Sequence, residues 1–455
     1  MNSRQQYLDL FRDNRETIDS RRAPALNRMS QRAFESIEAN EFPRKGHEGH
    51  ERTDVNAMFA PDYGLNITRL DIPADIAATW RCDVPNMSTL LGIVVNDSFQ
   101  PSRNLTERLP DGVVFASLSQ TATEHPELVE PFYGSVAPIG SPTVAVNTLF
   151  AQDGVIIRIP RGVKMTRPLQ LVNIFSAPTP LMAPRRVLIV MEAGAEAQIL
   201  VCDHSQDNAH AYLASEVVEI VMFPDSRLDY YTIEESSSST TRHSEIFARQ
   251  ADRSSLMISS STLTCGQTRN NFSIETDGTD CQTTLAGMAI ASGEMRIDNS
   301  VSMRHLTPRC KSSQLFKYVA DGHASCAFQG RILVDGNAPF TDATQTCRSI
   351  LASPDARMHA KPQLEIYNDE VICSHGATTG QLDNEALFYM QSRGIPVDEA
   401  RKMLMQAFMA DVIDTVRMEG LRDRLRHLVE KRFDGNESSC ADCHGACAER
   451  KPTEN

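Results

Sequence analysis

Along the first forty residues the apolar positions recur at helical spacing. Tyr7, Leu8, Leu10 and Phe11 make one stripe, and Leu26, Met29, Phe34 and Ile37 make a second. This pattern predicts an N-terminal helical domain over residues 1–110. From residue 111 the texture changes to short apolar runs rich in β-branched residues, such as Val155–Ile159, Arg186–Val190 and Val217–Val221, which read as strands. Turn signals punctuate them, most of them roughly 26–30 residues apart. They are Ala193-Gly194-Ala195, Pro224-Asp225-Ser226, Ala251-Asp252-Arg253, Asp277-Gly278-Thr279, Ser292-Gly293-Glu294 and Asp321-Gly322-His323. Such spacing suits the stacked coils of a β-solenoid over residues 111–380, each coil burying its inward residues against its neighbours. A β-sandwich produces similar short strands.

After Gly380 the helical period returns, predicting a C-terminal helical domain over residues 381–435. Asp383 to Arg393 fits one helix ended by Gly394, and Pro396 opens the next. That second helix carries Ala400, Met403, Leu404, Ala407, Phe408, Val412 and Ile413, more apolar surface than a lone surface helix shows. A packed hairpin and a partner-docking face both account for it. Residues 436–455 are polar and glycine-containing and predict a flexible, cysteine-rich tail.

Charge narrows the partners. Lys+Arg total 45 against 59 Asp+Glu, a net charge of −14, which disfavours polyanions and anionic lipid, so neither nucleic acid nor membrane is expected. Charged residues interrupt every apolar run near the start, leaving no secretory h-region, and no run approaches a membrane span. The expected location is the cytoplasm, where the eleven cysteines stay reduced. The chain has no Gly-Lys pair, hence no phosphate-cradling Gly-Lys-Ser/Thr loop, and no nucleotide is expected to bind. Dinucleotide-binding and nucleophile-elbow glycine motifs are missing too. The run Gly46-His47-Glu48-Gly49-His50-Glu51 has its histidines three apart among glycines, which reads as a solvated loop.

The most informative stretch runs from Lys361 to Gly380. If Val371 to His375 is extended, alternation places Cys373 and His375 on one face, ~6.6 Å apart at the backbone. Thiolate and neutral imidazole are both ligands of iron in clusters, so the pair is a candidate site for an iron–sulfur cluster. Two ligands do not complete such a site, and the others must come from elsewhere in the fold or from another subunit. A second candidate is the tail, where Cys440, Cys443, His444 and Cys447 are dense enough for Zn²⁺ or iron, although their spacing matches no standard zinc or ferredoxin pattern.

The run Lys361–Gly380, with Cys373-Ser374-His375-Gly376 inside it, followed by Leu387-Phe388-Tyr389-Met390-Gln391-Ser392-Arg393-Gly394-Ile395, resembles the SufD branch of the SufB/SufD family of iron–sulfur cluster assembly proteins. Upstream, Val146–Val155 with Ile159-Pro160-Arg161-Gly162-Val163 is similar to a segment both branches share. The resemblance implies a mainly β chain: a right-handed parallel β-helix between helical end domains. It implies a non-enzymatic scaffold partnered by a SufB paralogue and the ATPase SufC, the latter docking on about residues 382–415. It further implies a transient cluster at the subunit interface with His375 as a ligand and Cys373 beside it. Aligned on Ala377-Thr378-Thr379, Ile366 stands where SufB carries its essential cysteine, and Gly376 where SufB carries a glutamate. This subunit therefore supplies only part of a ligand set. Isolated, it could form a homodimer. Two alternatives were weighed: a SufB-like homo-oligomer, and a β-helix polysaccharide lyase or hydrolase. Against the latter, Asp369 and Glu370 are adjacent and point to opposite sides of a strand, and Trp80 is the single tryptophan.

Overall fold

The computed structural model describes residues 3–76, 88–100, 105 and 108–435. Trp80 and the cysteines and histidine of the tail lie outside them. The chain winds as a parallel β-solenoid of about eight turns. Its strands fall into a ten-stranded and a nine-stranded sheet and alternate between them. Ser255–Thr264 lies on one sheet, Gln267–Thr276 on the other, and Gln282–Ala291 returns to the first. Pairing is parallel and joins strands one coil apart, in register from Gln282 to Lys311 to Asp342 to Ile372. A sandwich would pair sequence neighbours through antiparallel hairpins, so pairing decides between the two readings.

One turn of the coil explains the punctuation. At that turn seven successive coils hold a residue in the left-handed region: Gly162, Gly194, Asp225, Arg253, Asp280, Arg309 and Phe340. For the five that are not glycine this conformation costs ~1–2 kcal/mol each. A ladder of backbone bonds offsets it: the N–H of Asp225 donates to Asp252 O (2.9 Å), that of Arg253 to Thr279 O (2.8 Å), and that of Arg309 to Pro339 O (2.9 Å). Gly293 and Gly322 mark the opposite turn, so the repeat read along the sequence mixes two columns.

Helices cover the outer faces of both sheets. The helix Pro142–Phe150 lies on one, where Asn147 Nδ2 donates to the carbonyls of Arg185 (3.0 Å) and Ser215 (2.8 Å). Beside it the buried Glu219 carboxylate pairs with Arg186 and accepts the N–H groups of Gly134 (2.8 Å), Val136 (3.2 Å) and Ala137 (3.1 Å). The helices Val397–Ile413 and Glu419–Phe433 cover the other sheet, seating Met409, Val412, Leu421, Leu425 and Val429 on Val172, Leu200, Ile233 and Met257. Their apolar surface is thus largely packing. N-terminal helices bury Tyr7, Phe11 and Ile18 with Phe42, Phe59 and Phe150. The strand Leu90–Val95 already belongs to the solenoid, pairing parallel with Leu169–Phe175. No described helix is long and apolar enough to cross a membrane.

Inside the coils most inward residues are aliphatic, each contributing ~1.5–3 kcal/mol by burial. A charged layer interrupts them. Arg242 lies 2.6 Å from Glu216, 3.5 Å from Asp203 and 3.1 Å from Glu234, while Arg185 reaches Asp203 at 2.7 Å. Burial pushes the Glu234 carboxyl up to about 8 against the pull of Arg242. Protonated, it leaves two cations facing two anions.

Two outcomes follow. Glu219→Ala leaves the buried Arg186 without its anion and unpins three N–H groups, so urea unfolding should show a loss of ~3–5 kcal/mol. Because Glu234 is protonated in the fold but ionises near its ordinary value when unfolded, the native state binds the extra proton between about pH 4.5 and 8, and stability falls as pH rises through that window. Glu234→Gln should flatten this fall, read as unfolding midpoints at pH 5 and pH 8.

Candidate functional site

A solenoid must end somewhere, and this one ends uncovered. The strands Arg357–Ile366 and Ile372–Gly380 are the last of their sheets, each with a single neighbour among the described residues. Their burial falls away accordingly: Ile366, Tyr367 and Ile372 are 41%, 68% and 73% exposed. An edge strand with free N–H and C=O groups and apolar side chains is a template for pairing with another chain.

The sequence-derived pair sits on this edge. Cys373 lies in register with Ala343, His375 with Gln345 and Ala377 with Cys347. All three partners are buried, so Cys373 and His375 share the inward face and stand over the open mouth of the interior. Cys373 is half-buried against the end of the apolar core, and that burial raises its thiol pKa. His375 is exposed. Beneath them Gln345 Nε2 donates to Gln314 Oε1 (2.7 Å), leading into the polar interior. Residues 371–375 are thus reachable by another chain rather than sealed in the core. Ile366, in register with Val334, lies at the far end of the companion strand. A Cβ at Gly376 would meet nothing within 4 Å, so packing does not demand glycine there.

Next to the pair opens a cavity of about 570 Å³ lined by Glu51, Arg52, Gln329, His359, Lys361 and Thr379. The run around His47 and His50 is a loop, exposed from Arg44 to Glu48 as a solvated loop should be, but its end is held. His47 is exposed, but His50 is half-buried and Glu51 is tied to the last coils, pairing with Lys361 at 2.5 Å and bonding Gln329. The Lys361 ammonium holds the Glu51 carboxyl down to about 2. Thr53 and Arg269 both bond Asp298, and Arg269 Nη2 donates to Gly49 O (2.7 Å). Burial and the cations Arg52, Arg357 and Lys45 lower the His359 pKa. These groups were missed because their partners lie some 220–310 residues away in sequence; the dense charge in the run was the only local signal.

Among the described residues no group of three or more His, Cys, Asp or Glu is arranged to hold a metal ion. Asp369 and Glu370 are exposed on the loop before the last strand. The tail candidates Cys440, Cys443, His444 and Cys447 fall outside the described residues.

Two family models match the chain: one described as SUF system FeS cluster assembly, SufBD core domain, over residues 174–408, and one described as SufBD protein N-terminal region, over residues 1–171. An iron–sulfur cluster assembly SufBD family protein of Synechocystis is 26% identical over 401 residues, spanning 86% of this chain and 87% of the relative. Proteins named SufD are similar too. That of Bacillus subtilis is 25% identical over 77% of this chain and 80% of its own length. That of Escherichia coli is 34% identical over 37% of this chain and 40% of its own.

Proposed function

We propose, from the premise that this chain belongs to the SufB/SufD family of iron–sulfur cluster assembly proteins, that it is the SufD-type scaffold subunit of a SUF complex. It works without an active site of its own. The observation that carries this reading is the placement of Cys373 and His375 on the inward face of a strand whose outer edge is free.

The partner is a SufB paralogue with a matching open coil. Strand addition across the two ends satisfies the unpaired backbone groups and buries Ile366, Tyr367 and Ile372. It also brings a second set of ligands to the mouth where this chain offers a thiol and an imidazole. Cluster ligation requires about four protein ligands, which two half-sites supply and one does not. The cluster is cargo: it forms at the junction and leaves.

The ATPase SufC docks on the C-terminal helices. In Asn384–Ser392 no residue is buried, and Phe388 and Tyr389 are 73% and 60% exposed, joined by the exposed Val397 and Met403 of the next helix. The helix Glu419–Phe433 and the connection before it fasten to the solenoid through Arg424–Glu235 (3.0 Å) and Arg417–Asp229 (2.6 Å). A pull on the docked helices is thereby transmitted to the sheet that ends in Ile372–Gly380.

The edge and the ligand can be separated by mutation. Ile372→Lys places a charge in the apolar edge and should weaken co-purification with the paralogue about tenfold or more, while circular dichroism stays native. His375→Ala should leave the complex assembled but lower the iron and sulfide it holds after reconstitution, and an undiminished yield would remove His375 from the site.

A further inference from the structure

We propose that Cys281 and Cys310, stacked in adjacent coils, are a redox-active dithiol that a hydroperoxide closes to a disulfide linking the two coils.

The pair stands out within a column. The residue just before each strand of one sheet is Ser226, Ser254, Cys281, Cys310 and Thr341 in successive coils, all 1% exposed or less. In four of them the side chain fastens its own turn by donating to the carbonyl three residues back: Ser226 to Phe223 (2.7 Å), Ser254 to Ala251 (2.7 Å), Cys281 to Gly278 (2.9 Å) and Thr341 to Ala338 (2.8 Å). Cys310 departs from the rule. Its Sγ reaches across to the carbonyl of Gly278, 3.3 Å away, the same oxygen that Cys281 contacts. Two sulfurs on one carbonyl oxygen, from residues flanking an in-register pair (Gln282 with Lys311), are placed as disulfide partners in adjacent parallel strands. Both cysteines are free thiols.

The surroundings favour reaction at one of them. The contact with Cys281 is the largest influence that pulls the Cys310 pKa down, and the fully buried His305 adds to it. The same contact raises the Cys281 pKa. His305 bonds Ser312 through Nε2 (2.9 Å), and its Nδ1 has no other hydrogen-bond partner. Outside, the exposed Asp280–Arg309 pair (2.8 Å, two bonds) clamps the two turns at matching height.

The chemistry balances. The Cys310 thiolate attacks one oxygen of hydrogen peroxide, forming an S–O bond and breaking O–O, and the departing hydroxide takes a proton to become water. The Cys281 sulfur then attacks the sulfenic sulfur, forming S–S and breaking S–O, and its own proton leaves with the second hydroxide as water. The two thiols lose two electrons together and the peroxide gains them.

The test treats the native full-length chain with hydrogen peroxide, blocks remaining thiols with an alkylating reagent, and maps cross-linked peptides by mass spectrometry. The expected result is a Cys281–Cys310 disulfide that dithiothreitol reverses. The column of hydroxyls supplies benign controls: Cys281→Ser keeps its turn bond, Cys310→Ser places at that level the residue type that the neighbouring coils carry, and each should abolish the cross-link. In Cys281→Ser, Cys310 should accumulate as a sulfenic acid trapped by dimedone. His305→Gln should slow disulfide formation severalfold. The proposal fails if the unmutated native chain yields no 281–310 cross-link, if the link forms only in denaturant, or if either sulfur goes to sulfinic acid without passing through the disulfide. The first readout needs no variant, so a misfolded mutant does not decide it.

Discussion

In-register parallel stacking is the interaction on which everything else rests. Each coil satisfies its backbone groups with the coil before and the coil after, so the ladder carries its own growth rule and no internal reason to stop. What the protein does with the two ends is therefore the functional question. The near end runs into the antiparallel strands Ser98–Gln100 and Val114–Ser117, which close the ladder. Among the described residues the far end is left with two unpaired edges and apolar side chains at its rim, and Cys373 and His375 stand there.

The same stacking explains the lateral decoration. A two-sheet solenoid has outer faces of its own, and both are covered by helices held through buried ion pairs and side-chain-to-carbonyl bonds. The N-terminal segment adds a strap across coils far apart in sequence, from Asp298 to Lys361, and so ties down the last coils, where Cys373 and His375 stand. The charged interior layer near Arg242 sets a pH dependence into a core that would otherwise be aliphatic.

The left-handed turn column and the hydroxyl column are two readings of one fact: equivalent positions in successive coils touch. A change of residue type at one level is felt by the level above. That is how two neighbouring cysteines, unremarked among eleven, become a pair.

The class of fold was legible locally, because strand runs and turn residues answer to short-range sterics. The repeat of about thirty residues survives in the turns even where letters differ, since Asp225, Arg253 and Gly194 solve the same backbone problem. The Cys373–His375 face was legible too, for alternation along a strand needs no tertiary information. What the local pattern left open was decided by contacts between distant coils. Parallel pairing rather than a sandwich, the packing of the C-terminal helices, the docking of Glu51 on Lys361 and the meeting of Cys281 with Cys310 all join residues from 26 to more than 300 positions apart. Hydrophobic period and turn chemistry act within one coil. Which coil lies against which, and where the stack is left open, is set only when the whole chain closes on itself.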